Sequence, residues 1–205
     1  GSLQPSHGKS QTFWAGSFHI CYNNVMDFSP VTFKDDQAFY DDFSSRYIKH
    51  QQGLFILAPS GAGKTYYCKN QDDQHWIDGD EIWEKSGAHP LVSWWLGGED
   101  VIQRVDQRSD VITMEARRQG LWIMGASNFW LKPDAIVIPE WDKHVAQIKE
   151  REENHYDGGA KTDALDQVKS HIDQIMKWHT DHGVPLFRSI EDAVSTLSGQ
   201  VLSEK

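Results

Sequence analysis

"GLFILAPSGAGKTYYCKN", residues 53–70, changes character twice in a short span. Gly53 to Ala58 is an apolar run that ends at a turn signal, which predicts a strand buried on both faces. Ala58-Pro59-Ser60-Gly61-Ala62-Gly63-Lys64-Thr65 breaks the run with a proline and two glycines, and a short helix is expected from Gly63 to about Asn70. A strand, a tight glycine turn and a helix, in that order, open an α/β unit.

The residues of the turn narrow its use. A loop that holds a phosphate must bring several backbone N–H groups inward, and side chains at the tight positions would block them. Gly61 and Gly63 remove that obstruction and permit φ > 0. A helix opening just past Gly63 adds the positive end of a dipole. Lys64 can reach β- and γ-phosphates, the Thr65 hydroxyl suits Mg²⁺, and Ser60, Ala62 and Tyr66 complete the expected nucleotide contact. The stretch fits the phosphate loop G-x-x-x-x-G-K-[ST], except that Ala58 replaces its first glycine. ATP and Mg²⁺ are the expected cofactors.

Outward from this unit, short apolar runs alternate with helical stretches. Trp76-Ile77 reads as a second strand ending in Asp78-Gly79-Asp80. Within Glu99 to Gln119, Ile102, Val105, Ser109, Ile112 and Ala116 fall at helical spacing, and Gly120 stops that helix. Leu121–Gly125 and Ala135–Ile138 suit buried strands, and a charged helix follows Pro139 to about Tyr156. Asp157-Gly158-Gly159 reads as a turn, and Thr162 as the cap of a helix carrying Leu165, Val168, Ile172, Ile175 and Met176. Val184–Phe187 is a last strand, and Ser189-Ile190-Glu191-Asp192 a capping box. The alternation predicts a mainly parallel sheet with helices on both faces, a three-layer α/β/α sandwich. Residues 1–50 form an N-terminal extension, with a strand or loop at Thr12–Tyr22 and an amphipathic helix at Asp35–His50. Gly1-Ser2 looks like a cloning remnant.

Composition bounds the alternatives. A chain of 205 residues fits one domain with an appended segment, and it can bury a core without staples. The two cysteines, Cys21 and Cys68, imply no disulfide framework and point to a reducing compartment, the cytoplasm. No secretory signal opens the chain, and no apolar run approaches the roughly 18 residues that cross a bilayer, so no membrane partner is expected. The net charge of −10 argues against a generic nucleic-acid coat but leaves a local basic groove open. Most of the nine tryptophans suit a core, yet Trp94-Trp95 cannot both face inward, so one is expected to line a cleft.

The run LWIMG continues into Ala126-Ser127-Asn128 without the acidic residue of Walker B ATPases, and no Asn-Lys-x-Asp of GTPases appears. Carboxylates stand instead at Asp78 and Asp80, at the end of the strand after the phosphate loop, the edge where parallel sheets bind ligands. One can hold Mg²⁺ while the other takes the proton of an acceptor hydroxyl. A polar turn with Asp80 as a helix cap is the plainer alternative. An EF-hand is excluded, because Gln74 and Trp76 occupy positions that require Asp or Asn.

From APSGAGKT through IDGDEI to VPLFRSIEDAV, residues 53 to about 198 resemble the P-loop kinases of the nucleoside monophosphate, shikimate and gluconate kinase type. IDGDEIWEKSGAHPLVSWW is also similar to a "DGD…P…WW" stretch in kinase-like proteins of phages and other viruses, including ones proposed to act on nucleic-acid bases. The resemblance implies a P-loop NTPase-type fold over residues 51–205, with an acceptor-binding segment at about 80–119 and a lid at about 140–162. Lys143, Lys149 and Arg151 then stand where such lids place cations over the transferring phosphoryl group. Family lids usually carry arginine pairs, whereas Arg151 stands among Glu150, Glu152 and Glu153. Only thirteen residues separate Lys64 from Asp78, a short first helix for this family.

The candidate catalytic residues are Lys64, Asp78, Asp80 and Arg151, with Thr65 and Asp78 on the metal. Candidate acceptor contacts are Asp80, Trp83, Trp94, Arg104 and Arg108. The two arginines lie four apart on one helix face; with Arg117 and Arg118 they either clamp an acceptor phosphate or pair with acids such as Asp100 and Asp110. Trp83, Trp94, Trp95 and Trp130 either stack on a base or pack in the core. His171, His179 and His182 share roughly one helical side, but with no cysteine pair beside them no zinc site is expected. The expected activity is ATP- and Mg²⁺-dependent transfer of the γ-phosphoryl group to a nucleotide or related small acceptor. Two alternatives stand beside it: a kinase acting on a hydroxyl of DNA or RNA, at a 5′ end or a modified base, and a non-catalytic nucleotide-binding module of a viral or cellular assembly.

Overall fold

The apolar run before the glycine turn is strand β1 (Leu54–Leu57), and all four of its side chains are buried. The computed structural model describes residues 26–30, 32–155 and 159–203. Beside β1 lie β3 (Trp122–Gly125) and β4 (Ala135–Val137), with β2 (Trp76–Asp78) and β5 (Leu186–Phe187) at the edges. The order is β2-β3-β1-β4-β5 and every pairing is parallel. Leu57 sits opposite Gly125 and Asp78 opposite Met124, so the tips of β1, β2 and β3 finish together at one edge.

Successive residues on the strands point to opposite faces, and each face is covered. Phe55, Leu57, Ile77, Ile123 and Ile136 pack with side chains of α1 (Gln37–Arg46), α3 (Gly79–Ser86), α4 (Glu99–Arg118) and α6 (Leu165–His182). Leu54, Ile56, Trp76, Trp122, Met124 and Val137 pack instead with α2 (Lys64–Asn70) and α7 (Ile190–Ser203). The protein is thus α/β with a five-stranded parallel sheet, an arrangement compatible with the expected three-layer sandwich. Helix α5 (Trp141–Glu153) follows β4. Among the described residues no helix is long and apolar enough to cross a membrane.

The connection from β1 leads to β2 on one side of the sheet, and that from its neighbour β4 leads to β5 on the other. Diverging connections leave a crevice at the carboxyl ends of the strands. The loop after β1 opens into it.

Several local expectations are corrected. Asp78, not Asp80, caps α3: its carboxylate accepts from the Asp80 N–H, so the helix begins at Gly79. Thr162 does not cap α6 but begins a short 3-10 turn, Thr162–Ala164, and its N–H donates to Glu152. The helix expected at 35–50 is only Gln37–Arg46, capped by Asp36, and it buries Phe39, Tyr40 and Phe43 in the same core as the sheet. Ser189 caps α7 as expected, its hydroxyl accepting from the Asp192 N–H. The expectations for Gly1-Ser2, Thr12–Tyr22 and Cys21 lie outside the described residues, as does most of the turn at 157–159.

Candidate functional site at the strand tips

Gly61 and Gly63 hold φ of 86° and 96°, a left-handed backbone that a side chain at either position would strain. Among the described residues no backbone carbonyl takes their N–H groups. Lys64 follows at the start of α2, only 6% exposed, and its ammonium donates to the carbonyls of Ala58 (2.9 Å) and Pro59 (2.7 Å). Burial pushes its pKa down to about 8, while Asp80 and Asp78 work in the opposite direction.

Asp78 and Asp80 therefore lie close enough to act on the Lys64 charge. Their geometry divides them. The Asp78 carboxylate accepts from the Asp80 N–H; burial and the charge of Asp80 raise its pKa, and the neighbouring Thr65 hydroxyl lowers it. Asp80 projects from the first turn of α3 and is exposed. Among the described residues no group of three His, Cys, Asp or Glu side chains is arranged to hold a metal. Mg²⁺ does not need one, since it commonly takes one or two protein oxygens, substrate phosphates and water. The hard oxygens of Thr65 and Asp78, neighbours beside the loop, fit that requirement.

Helix α5 lies across the loop. His144, Ile148 and Arg151, at spacings of four and three, share one helical face. A methyl placed on Gly61 would meet Ile148 Cγ1 at 2.8 Å, His144 Nε2 at 3.2 Å and Arg151 Nη1 at 3.4 Å. The His144 ring is fully buried and its Nε2 lies 2.8 Å from the Ser60 carbonyl, so that nitrogen carries the proton, while among the described residues Nδ1 has no hydrogen-bond partner. Ser60 is held from its other end by the Ala160 N–H on its hydroxyl. Nearby, burial with the Lys64 charge pushes the His171 pKa down to about 4. Burial also lowers the His144 pKa, so both rings favour the neutral form, and Lys64 and Arg151 bring positive charge to the loop.

The chain matches no protein-family model, no curated protein and no solved structure.

Other candidates are placed as follows. Trp83 is wholly buried, its Nε1 bonded to the Thr113 hydroxyl and its ring against Gly79 and Gly125, so it underlies the turn and presents no face to a ligand. Trp94 is half-buried against His89, and Trp95 is exposed. The Arg108 guanidinium lies over Phe33, and Arg104 is exposed. Arg117 pairs with Asp134 and Arg118 with Glu115, both beside Gly53 at the start of β1 and thus at the edge away from the loop. Among the described residues Asp110 pairs with no arginine: its carboxylate accepts from the N–H groups of Phe129, Trp130 and Leu131 and from Asn128. Lys143, Lys149 and Tyr66 are exposed.

Sequence reasoning missed His144 and Ile148, although their spacing with Arg151 was a usable signal. It also missed the contact of His89 with Ser127, 3.0 Å apart. The two come from separate segments, and no pattern within either marks it.

Proposed function

We propose that the protein is an ATP- and Mg²⁺-dependent phosphotransferase. One observation carries the reading: the glycine loop, the buried Lys64 and the Asp78–Asp80 tip converge at one edge of a parallel sheet. Loop amides and Lys64 would hold the β- and γ-phosphates, while Thr65 and Asp78 would hold Mg²⁺, which would supply charge neutralisation. Arg151, beside Gly61, offsets charge on the equatorial oxygens. The acceptor hydroxyl oxygen bonds to the γ-phosphorus as the bond to the β,γ-bridging oxygen breaks. Its proton passes to Asp80 and on to water, leaving ADP and a phosphorylated acceptor.

Incubation with Mg·ATP and a panel of nucleosides, nucleotides and sugars tests this. The expected result is transfer to at least one acceptor, lowered about 10²- to 10⁴-fold by Asp80→Asn with ATP affinity retained. Tight ATP binding without transfer to any acceptor contradicts it. A second reading, a hydroxyl on DNA or RNA as acceptor, is favoured by the exposure of Trp95, Phe129 and Trp130 at 38%, 49% and 44%. Salt-sensitive oligonucleotide binding separates the two.

A further inference from the structure

At the amino ends of the strands, away from the glycine loop, two imidazoles meet over a tryptophan. His50 precedes β1 and His75 immediately precedes β2. Leu54 and Trp76 both lie opposite Trp122 in register, which brings the two histidines to its indole. The His50 ring stacks on that indole with centroids 3.5 Å apart and planes at 10°, and the His75 ring stands 5.8 Å away at 29°. The imidazoles therefore lie side by side on the indole, edge to edge. Both backbones are pinned: the His50 N–H donates to the Gly120 carbonyl, and the His75 N–H to the Gln71 side chain.

His50 Nε2 and His75 Nδ1 face each other at 3.3 Å, with ring centroids 5.2 Å apart. Two imidazoles on one tetrahedral Zn²⁺, each at about 2.05 Å, place their nitrogens about 3.3 Å apart and their centroids about 5.2 Å apart. A straight N–H···N bond of the same length would hold the centroids at about 5.6 Å. The lone pairs thus converge to one side of the line between the nitrogens, as in a chelate. Asp73 Oδ2 lies 3.8 Å from His75 Nε2. That carboxylate favours the proton on Nε2 and leaves Nδ1 its lone pair, the outer arrangement that accompanies metal-binding histidines. His50 Nε2 then donates to His75 Nδ1, and a cation takes the place of that one proton, which passes to solvent. The His75 side chain is 38% exposed, which admits a cation with its waters. Among the described residues no third His, Cys, Asp or Glu joins the pair, so water completes the shell. Imidazole suits Zn²⁺, Cu²⁺ and Ni²⁺, whereas Mg²⁺ takes oxygen ligands.

We propose that His50 and His75 form a bidentate site for a divalent transition metal such as Zn²⁺, which clamps the chain ahead of β1 to the chain ahead of β2. The site stands at the opposite edge of the sheet from Lys64 and is independent of the phosphotransferase reading.

Calorimetry on the full chain, stripped of metal with a chelator, tests the site with zinc chloride as the probe. One equivalent of Zn²⁺ should bind, and a large excess of Mg²⁺ should not displace it. His50→Gln and His75→Gln should each weaken that binding at least tenfold. Should either variant fail to fold by circular dichroism, the wild type decides: the imidazole ¹⁵N signals of His50 Nε2 and His75 Nδ1 should move together and stop at one equivalent. No Zn²⁺ binding, displacement by Mg²⁺, an affinity lowered less than tenfold in a folded variant, or shifts confined to other histidines overturns the proposal.

Discussion

Raising the pH from 7 to 9 during an ATP titration perturbs Lys64 more than any other cation at the loop. Its ammonium is buried against two carbonyls, and its pKa falls from 10.5 to about 8. At about 1.4 kcal/mol per pH unit, that fall is worth roughly 3 kcal/mol against the charged form. Two signs follow. Between about pH 8 and 10.5 the unfolded chain holds more protons than the folded one, so this group makes folding more favourable as pH rises. A triphosphate acts the other way, because its charge favours the ammonium. Binding above about pH 8 therefore takes up a proton, and affinity falls with pH, by about tenfold between pH 7 and 9. Titration calorimetry in buffers of different ionisation enthalpy reads both the affinity and the proton count. Lys64→Met should bind weakly at every pH and lose the dependence. Equal affinity at pH 7 and 9 in the wild type, or wild-type affinity in Lys64→Met, refutes the reasoning.

Three further outcomes are expected. Gly61→Ala forces a side chain into a left-handed backbone at a strain of roughly 1–2 kcal/mol, against Ile148 at 2.8 Å; calorimetry should show ATP affinity lowered at least tenfold with the fold intact by circular dichroism. Gly125→Ala drives a methyl to 2.0 Å from the Trp83 ring, and urea unfolding should show a loss of about 1–3 kcal/mol. Asp110→Ala removes the acceptor of four donors and should cost roughly 2–4 kcal/mol in the same assay, with Asp110→Asn recovering part of it.

The glycine turn was legible because two positions, 61 and 63, needed a backbone that glycine adopts most freely, and the parallel sheet because its strands are apolar on both faces. A cap at Asp80, the plainer alternative for this turn, suits the sequence because Glu81-Ile82 resembles a first turn. In the fold the Asp78 carboxylate reaches the Asp80 N–H first, which starts the helix at Gly79. The arginines of α4 were legible as charges but not as partners, since Arg117 meets Asp134 across the core edge. In α5 the exposed Lys143 and Lys149 masked the inward face of His144, Ile148 and Arg151. The contact of His89 with Ser127 depends on β2 and β3 pairing side by side, which no local spacing encodes.

Amide spectra of ¹⁵N-labelled protein, recorded during a titration with a non-hydrolysable Mg·ATP analogue, bear most directly on the glycine bend as a triphosphate cradle. The Gly61, Gly63 and Lys64 N–H signals should move together and saturate, and inorganic tripolyphosphate should move the same three. Signals that stay in place at saturating nucleotide, or that move with adenosine but not with tripolyphosphate, would contradict the cradle.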